Sequence, residues 1–456
     1  MSPSTPNRGL YPSDSPARIL VMGAAHWDTL AYAEHIEHDG EGTGHIQSEG
    51  GGTGYLAVRS LLHSDTPVTF LADMGDDLST TLLVEDLRQR GVRLAVLRDA
   101  AMNNAGFVAL LTSRGVQATV SSLPQAHRVI AQERIVQALE GVSGVIADAT
   151  HSPASLSLLT QICQDRVLPC WIAGVSPERI LATAGIDPPP TAWVLNAREA
   201  HALWCLHQNQ GVRDYPGVAL CMGCPLIVLR PTVGVAYVTT TRVRLFPHPF
   251  YAGAGQRIGS RAHVLAQGLR VFLRHADMEL AIHAALNTAD PVIETATVLH
   301  MAGPARDPLT GLHRRDALVS ALQEALDERA WEPYPLTVFF LDLNRFKVLN
   351  DQRGHIFGDA VLAAVAQTIQ EVLPTGWWAR WGGDEFAGFI RTDRVRWVRD
   401  CLRGLQSVTV SGESVPIGAT VGAVLVRAHD CPTAIEAIHA ADQHMYRQRN
   451  NKRRRA

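Results

Sequence analysis

Arg380 to Phe386 reads Arg-Trp-Gly-Gly-Asp-Glu-Phe, two glycines followed at once by two carboxylates between apolar, strand-like flanks. A glycine pair is a strong short signal for a tight hairpin turn, and its bare backbone leaves room for a ligand's phosphates. Asp384 and Glu385 beside it could hold a hard cation over those phosphates, because Mg²⁺ takes oxygen ligands and is shared between one or two carboxylates and the substrate. Alone, five such residues also suit an ordinary exposed hairpin.

Other residues supply what the hairpin lacks. Upstream, the β-branched and aromatic run Leu336 to Leu341 reads as a buried strand that ends on Asp342, a carboxylate able to serve as the second anchor of a metal site in a shared sheet. Next come Phe346, Lys347, Asn350 and Asp351, then Gly354-His355 and Gly358-Asp359. An amide and a carboxylate can together read a purine edge, and a ring N–H with an exocyclic amine as the donor pair favours guanine. Val361, Leu362, Val365, Ala366 and Ile369 recur at helical spacing, so these loop residues precede an amphipathic helix. Far along, the stretch from Ala441-Asp442 leads to Arg449 and Arg453, one helical turn apart, two cations that suit a triphosphate tail.

Four blocks in this order, Asp307 to Leu312, Asp342 to Asp359, the Gly-Gly-Asp-Glu-Phe run and Ala441 to Arg453, resemble the GGDEF domain of diguanylate cyclases over about residues 307–450. The resemblance implies an α+β domain, ferredoxin-like and related to the polymerase palm. It implies Mg²⁺ (or Mn²⁺) held by Asp342 and Asp384 with the Leu343 carbonyl, and Glu385 completing the acidic cluster. Asn350 and Asp359 would bind guanine, with Phe346, Gly382 and Gly383 also lining the GTP site, and Lys347, Arg449 and Arg453 would neutralise phosphates. Each domain of a homodimer would hold one GTP, and each 3′-hydroxyl would attack the other's α-phosphate to give cyclic di-GMP and two pyrophosphates. Arg314 and Asp316 depart from the family's usual Asn and Arg in the leading block, touching no metal or base ligand.

Between Arg18 and Asn287 short strands alternate with helical patterns, which implies a mostly parallel sheet covered on both faces. The expected strands are Ile19–Met22, Val68–Leu71, Val145–Ala147, Cys170–Ile172, Trp193–Leu195 and Leu226–Leu229. Gly23 to Asp28, Gly50-Gly51 opening a helix, Gly75 to Asp77, Gly174 to Pro177, Asn196 to Glu199 and Ala252 to Gln256 resemble ribokinase-like kinases of the PfkB family, close to the pseudouridine kinase branch. That resemblance implies a three-layer α/β fold. It also implies a ligand site at Asp28, Gly51, Asn196, Glu199, Gly253, Gly255 and Gln256, with a nucleoside, sugar or nucleotide as ligand. The family keeps Asp where this chain has Gln256, and an amide cannot act as general base at neutral pH, a role worth about a hundredfold to ten-thousandfold. Tyr55 also replaces the Asn usual in the Gly-Gly motif. The expectation is a pseudokinase sensor or, with nearly equal weight, a dimerisation scaffold whose contacts the family places on lid strands near Leu30 to Ser48.

The chain of 456 residues, 46% hydrophobic and 19% charged, suits two or three globular domains. A formal net charge of −3 favours neither nucleic acid nor membrane as a bulk partner, and no apolar stretch approaches a membrane span. Seven cysteines, an odd count without a framework, indicate a reducing cytoplasm. Cys221 and Cys224 have metal-like spacing but no partner pair, so a buried structural role is expected. His35, His38 and His45 read as part of a loop or lid strand. Residues 1–17 read as a disordered tail, 18–287 as the kinase-like domain, 288–306 as a linker, 307–450 as the cyclase domain and 451–456 as a solvated basic end.

Two other functions fit the same residues less well. One is a GGDEF protein that binds GTP silently, against which Asp342, Asp384, Asn350 and Asp359 stand. The other is a working carbohydrate or nucleoside kinase with a GGDEF regulatory domain, against which Gln256 stands. Many cyclases carry an Arg-x-x-Asp product site five residues ahead of the signature, where this chain has Leu373-Pro374-Thr375-Gly376. Product titration is therefore expected to show no feedback through this turn; tight inhibition that vanishes when the turn is mutated would refute it.

Overall fold

The computed structural model describes residues 17–33, 43–102, 105–112, 115–208, 210–230, 234–247, 260–288, 306–329, 334–427, 430 and 432–453. The chain divides into two compact units, residues 1–302 and 303–456.

The first unit contributes β1 (Ile19–Met22), β2 (His26–Ala33), β3 (Gly44–Gly51), β4 (Val68–Gly75), β5 (Arg93–Asp99), β6 (Gly106–Thr112) and β7 (Gly115–Ser122). Then follow β8 (Gly144–Asp148), β9 (Cys170–Ala173), β10 (Ala192–Asn196), β11 (Leu226–Arg230), β12 (Gly234–Val238) and β13 (Val243–Pro247). Nine of these form one sheet in the order β13-β12-β11-β10-β9-β8-β1-β4-β5. The strands from β11 to β5 in that order pair parallel, while β12 and β13 return antiparallel. Every position of β1, β4, β8, β9 and β11 is buried. Such continuous apolar strands belong to a parallel sheet covered on both faces. The six strands read from the sequence all fall in it. Chain order diverges at β1, with β4 and β5 to one side and β8 to β11 to the other, and a switch of this kind opens a crevice beyond the strands' carboxyl ends.

A separate four-stranded sheet runs β3-β2-β6-β7. The pairing register puts buried Asp28, Leu30, Tyr32 and Ala109 on one of its faces. On the other, Ile46, Val108 and Val120 are 73%, 48% and 67% exposed. His45 sits on β3 with its ring stacked on Tyr32 at 4.6 Å. Gly50 and Gly51 end β3 rather than opening the helix; Gly52, at φ +91°, turns the chain into helix Thr53–Leu62 in a conformation that favours glycine. Cys221 is exposed and Cys224 buried, its thiol pushed up to about 12 by burial, as suits a structural residue. The expected N-terminal tail, His35, His38, Gly253 to Gln256, the linker pattern from Val292 to Met301 and residues 454–456 lie outside the described residues.

The second unit contains β14 (His313–Arg314), β15 (Leu336–Asn344), β16 (Trp377–Gly382), β17 (Glu385–Ile390), β18 (Ser407–Val410), β19 (Glu413–Pro416) and β20 (Gly418–Val426). Five of these form the sheet β14-β16-β17-β15-β20, and β18 pairs with β19. The central strand β15 runs two residues past Asp342 and is buried throughout except at Asn344. Its alternation divides two cores. Val338 and Phe340 pack with Leu318, Leu322, Ala441 and Met445, from helices Arg315–Glu328 and Ala434–Arg453. Phe339 and Leu341 pack on the other face with Val361, Val365 and Ile369 of helix His355–Val372. Asp342 continues the first of these faces, toward the terminal helix. Among the described residues no helix is long and apolar enough to cross a membrane.

The terminal helix approaches β20 at Gly422, where a Cβ would meet the Ala441 carbonyl and the Met445 amide. Gly422→Ala is therefore expected to destabilise the second unit by about 1–3 kcal/mol, read as a shift of its urea-unfolding midpoint; an unchanged midpoint would show that helix and strand need not pack so closely.

Candidate active site

The acidic corner is set by strand register. Asp342 pairs directly with Glu385 across β15 and β17, so the two carboxylates project from one face. The connecting turn between β16 and β17 has Gly383 and Asp384 as its central residues, because Gly382 still pairs with Glu385 after a register shift at Arg380. Only Gly383 of the glycine pair adopts positive φ, +49°. The sequence reading of Gly382-Gly383 as the turn is thus displaced by one residue, since the bulge uses up one position of the strand. The Leu343 amide donates to the Asp384 carbonyl at 3.3 Å, and Arg380 Nε donates to the Gly383 carbonyl at 3.0 Å, fixing turn to strand. A Cβ at Gly382 or Gly383 would meet nothing within 4 Å, so the space in front of both is open.

Asp342 is buried at 7% exposure, and its Oδ1 has no hydrogen-bond partner. Its Oδ2 accepts from Arg449 NH1 at 3.1 Å, reached from the terminal helix. Burial, with the neighbouring charges of Asp384 and Asp442, pushes the Asp342 carboxyl above its ordinary value against the opposing pull of Arg449. Glu385 is raised for the same reasons, burial first, then Asp342, Asp384 and Asp442. An all-oxygen cluster with a buried orphan acceptor and mutually repelling carboxylates fits a hard divalent cation. Among the described residues no three His, Cys, Asp or Glu groups form a metal cage by themselves.

Asn350 lies near the end of helix Phe346–Arg353, and Gly354, at φ +85°, turns the chain into helix His355–Val372, which carries Asp359. Asn350 Oδ1 is buried without a partner, and a Cβ at Gly358 would run into it, so the turn brings Asn350 against the residue preceding Asp359. Asp359 and Lys347 are exposed. Phe346 packs in the core beside Gly358 and forms the floor of this corner. Arg345, at φ +60°, makes the sharp passage from β15 into the helix. Arg453 falls one turn after Arg449, in the last turn of the terminal helix.

Asp442 was not picked out as a site residue by sequence. Two helical turns before Arg449, it shares that face, and this spacing was the available signal. Asp307 is a second such residue. Its carboxylate accepts from the Thr310 amide and hydroxyl at 2.8 and 2.7 Å and lies 3.4 Å from Arg380 NH1, tying the leading block to the signature turn. Burial alone would raise the Asp307 carboxyl, but these hydrogen bonds and the Arg380 charge bring it below the usual value. In the turn ahead of β16, Leu373 is fully buried and its carbonyl accepts from the Gly376 amide and from Trp378 Nε1.

In the first unit, Asp28 is buried with Oδ1 2.7 Å from His26 Nδ1, opposite Glu49, whose carboxyl is raised by burial and by the Asp28 charge. A Cβ at Gly51 would land on the Asp28 carboxylate, so glycine is required there. Tyr55 is buried and donates to Asp86 at 2.9 Å, turned to a structural use. Asn196 and Glu199 satisfy each other: the Asn196 amide and Nδ2 donate to Glu199 at 2.9 and 3.0 Å, and the Glu199 amide donates back at 2.9 Å. Arg261 NH1 also reaches Glu199 Oε1 at 2.6 Å, and the Glu199 side chain is fully buried.

Residues 304–455 match the family described as diguanylate cyclase, GGDEF domain, and the chain belongs to that family through this unit. An uncharacterized 19.3 kDa protein of Streptomyces ambofaciens is 34% identical over 156 residues, 34% of this chain and 83% of the relative. Diguanylate cyclase TpbB of Pseudomonas aeruginosa is 34% identical over 162 residues, 34% of this chain, which spans only 36% of TpbB's length. The first unit has the ribokinase-like fold. A carbohydrate kinase from Agrobacterium tumefaciens superposes with TM-score 0.52 at 20% identity, covering 62% of this chain and 92% of that one. A ribokinase from Arabidopsis thaliana, complexed with ribose and ATP, superposes with TM-score 0.51 at 14% identity, covering 63% and 95%.

A carboxyl must lose its proton to bind a cation, so Mn²⁺ affinity is expected to fall away with decreasing pH while still above the ordinary carboxylate range. Asp442→Asn removes one repelling charge from both raised groups and is expected to move that fall to lower pH in Mn²⁺ titrations; an unmoved midpoint would take Asp442 out of the cluster.

Proposed function

We propose that the second unit is a working diguanylate cyclase that acts as a homodimer, condensing two GTP into cyclic di-GMP and two pyrophosphates. The observation that carries this reading is the Asp342 carboxylate, buried with an orphan oxygen beside Glu385 and the Asp384 turn, whose neighbours Gly382 and Gly383 have open space in front of them. Asn350 and Asp359 would hold the guanine edge, amide and carboxylate together matching its acceptor and donor groups. Lys347, Arg449 and Arg453 would balance the triphosphate, which requires Arg449 to leave Asp342 as substrate enters. Asp342 and Asp384, with the Leu343 carbonyl, would hold Mg²⁺ or Mn²⁺, which when bound lowers the pKa of the attacking hydroxyl and takes up charge at the phosphorus oxygens.

The bond made is from the 3′-oxygen of one nucleotide to the α-phosphorus of the other, and the bond broken is from that phosphorus to the bridging oxygen that leaves with pyrophosphate. Two such transfers close the ring. One unit holds one nucleotide, so rate depends on bringing two units face to face, where positioning supplies much of the barrier reduction. The first unit then serves as the regulator: a kinase-like domain that binds a small ligand without phosphorylating it, Gln256 standing where a general base is needed. The exposed Ile46, Val108 and Val120 on its small sheet support self-association through those lid strands.

Purified full-length protein with GTP and Mg²⁺ is expected to yield cyclic di-GMP, and Asp342→Ala or Asp384→Ala to lower the rate by about a hundredfold or more, with unchanged circular dichroism. Undiminished turnover in either variant, or no product from wild type even when forcibly dimerised, would overturn the reading. ATP with candidate sugars is expected to give no phosphorylated sugar.

A further inference from the structure

Kinases hold Mg²⁺ through one or two carboxylates together with the phosphates of the substrate. The likeness of the first unit to such enzymes implies a metal beside Asn196 and Glu199, and the surroundings of Glu199 test whether one fits. Glu199 lies in the first turn of helix Ala197–Gln208, directly after β10, and is fully buried. Both of its oxygens are committed. Oε2 accepts from the Asn196 amide at 2.9 Å, while Oε1 accepts from Asn196 Nδ2 at 3.0 Å and from Arg261 NH1 at 2.6 Å. The Asn196 Oδ1 is taken by the Glu199 amide at 2.9 Å. On a further side a Cβ at Gly174 would run into the carboxylate, so the chain packs against it without a gap.

Arg261 comes from the first turn of helix Ser260–His275, and its NH1 also donates to the carbonyl of Gly174, the residue after β9. One guanidinium thus ties that helix to the ends of two neighbouring strands, β9 and β10. A guanidinium carries only donors and keeps its charge at any ordinary pH, so it neither coordinates a metal nor titrates away. Any ion approaching Glu199 meets like charge already in place. The buried carboxylates at the ends of β4 and β8 are taken as well: Asp73 pairs with Arg134, and Asp148 accepts from the Ala24 and Thr150 amides at 2.9 and 3.1 Å. These residues do not fit Mg²⁺.

We infer that Arg261 is a built-in cation occupying the place a metal would take at Glu199, so that the first unit takes no divalent ion there. The inference deepens the reading of this unit as a kinase-like domain without phosphotransfer, adding a loss independent of Gln256.

The test is a Mn²⁺ titration of the full-length protein carrying Asp342→Ala and Asp384→Ala, which removes the anchors proposed in the second unit, with free ion counted by electron paramagnetic resonance. Adding Glu199→Gln to this chain is expected to leave the number of bound ions unchanged. Adding Arg261→Met instead is expected to create one further site, which Glu199→Gln in the same chain abolishes, and Arg261→Lys is expected to create none. In thermal melts Mn²⁺ is expected to raise the midpoint of the Arg261→Met chain and not that of Arg261→Lys, a rescue that a merely structural arginine would not show. A site present with Arg261 in place and lost with Glu199→Gln overturns the inference, as does a folded Arg261→Met chain that gains no site. The Glu199→Gln comparison stays decisive if Arg261→Met does not fold. Every comparison is between chains differing only at 199 or 261, so it stands apart from the pseudokinase reading, which falls instead if ATP phosphorylates a sugar.

Discussion

Like charge held close, out of water, is the constraint around which the second unit is arranged. Asp342 and Glu385 are neighbours because β15 and β17 pair in one register, and a slip of one residue would send one of them to the opposite face. Ladder hydrogen bonds and two apolar cores keep that register, so the backbone absorbs a repulsion the carboxylates could not survive as free side chains. Arg449 offsets part of it through one oxygen of Asp342 and leaves the other bare. The backbone at Gly382 and Gly383, next to this corner in the ladder, is open.

The first unit solves its electrostatics differently. Glu199 is buried but matched on all sides by Asn196 and Arg261, Asp73 by Arg134, and Asp148 by backbone and hydroxyl donors. Among the described residues, the buried side-chain atoms there without a hydrogen-bond partner include those of Gln125 and His151.

Much of this was legible in the chain. The six parallel strands announced themselves as short apolar runs between helical patterns, because strands buried on both faces are built mostly of apolar residues, even where a paired polar one such as Asp73 or Asp148 is admitted near the end. Asp342 and the signature residues were legible because a carboxylate closing an apolar strand, or following two glycines, has few structural uses. Asp442, Gln125 and His151 were not, since a lone Asp on an amphipathic helix or a Gln in a turn carries no local pattern. Tyr55, which departs from the Gly-Gly motif's usual Asn, is buried and donates its hydroxyl to Asp86.

Sequence by itself therefore determined which residue types stand at strand ends and turns, and with them the family of the second unit and the periodicity of the first, because these depend on neighbours a few residues apart. Tertiary structure alone decided which carboxylates repel one another, that the turn falls on Gly383-Asp384, and which buried polar atoms go unpaired. Those depend on strand register and on helices packed from far along the chain, distances that no local spacing encodes.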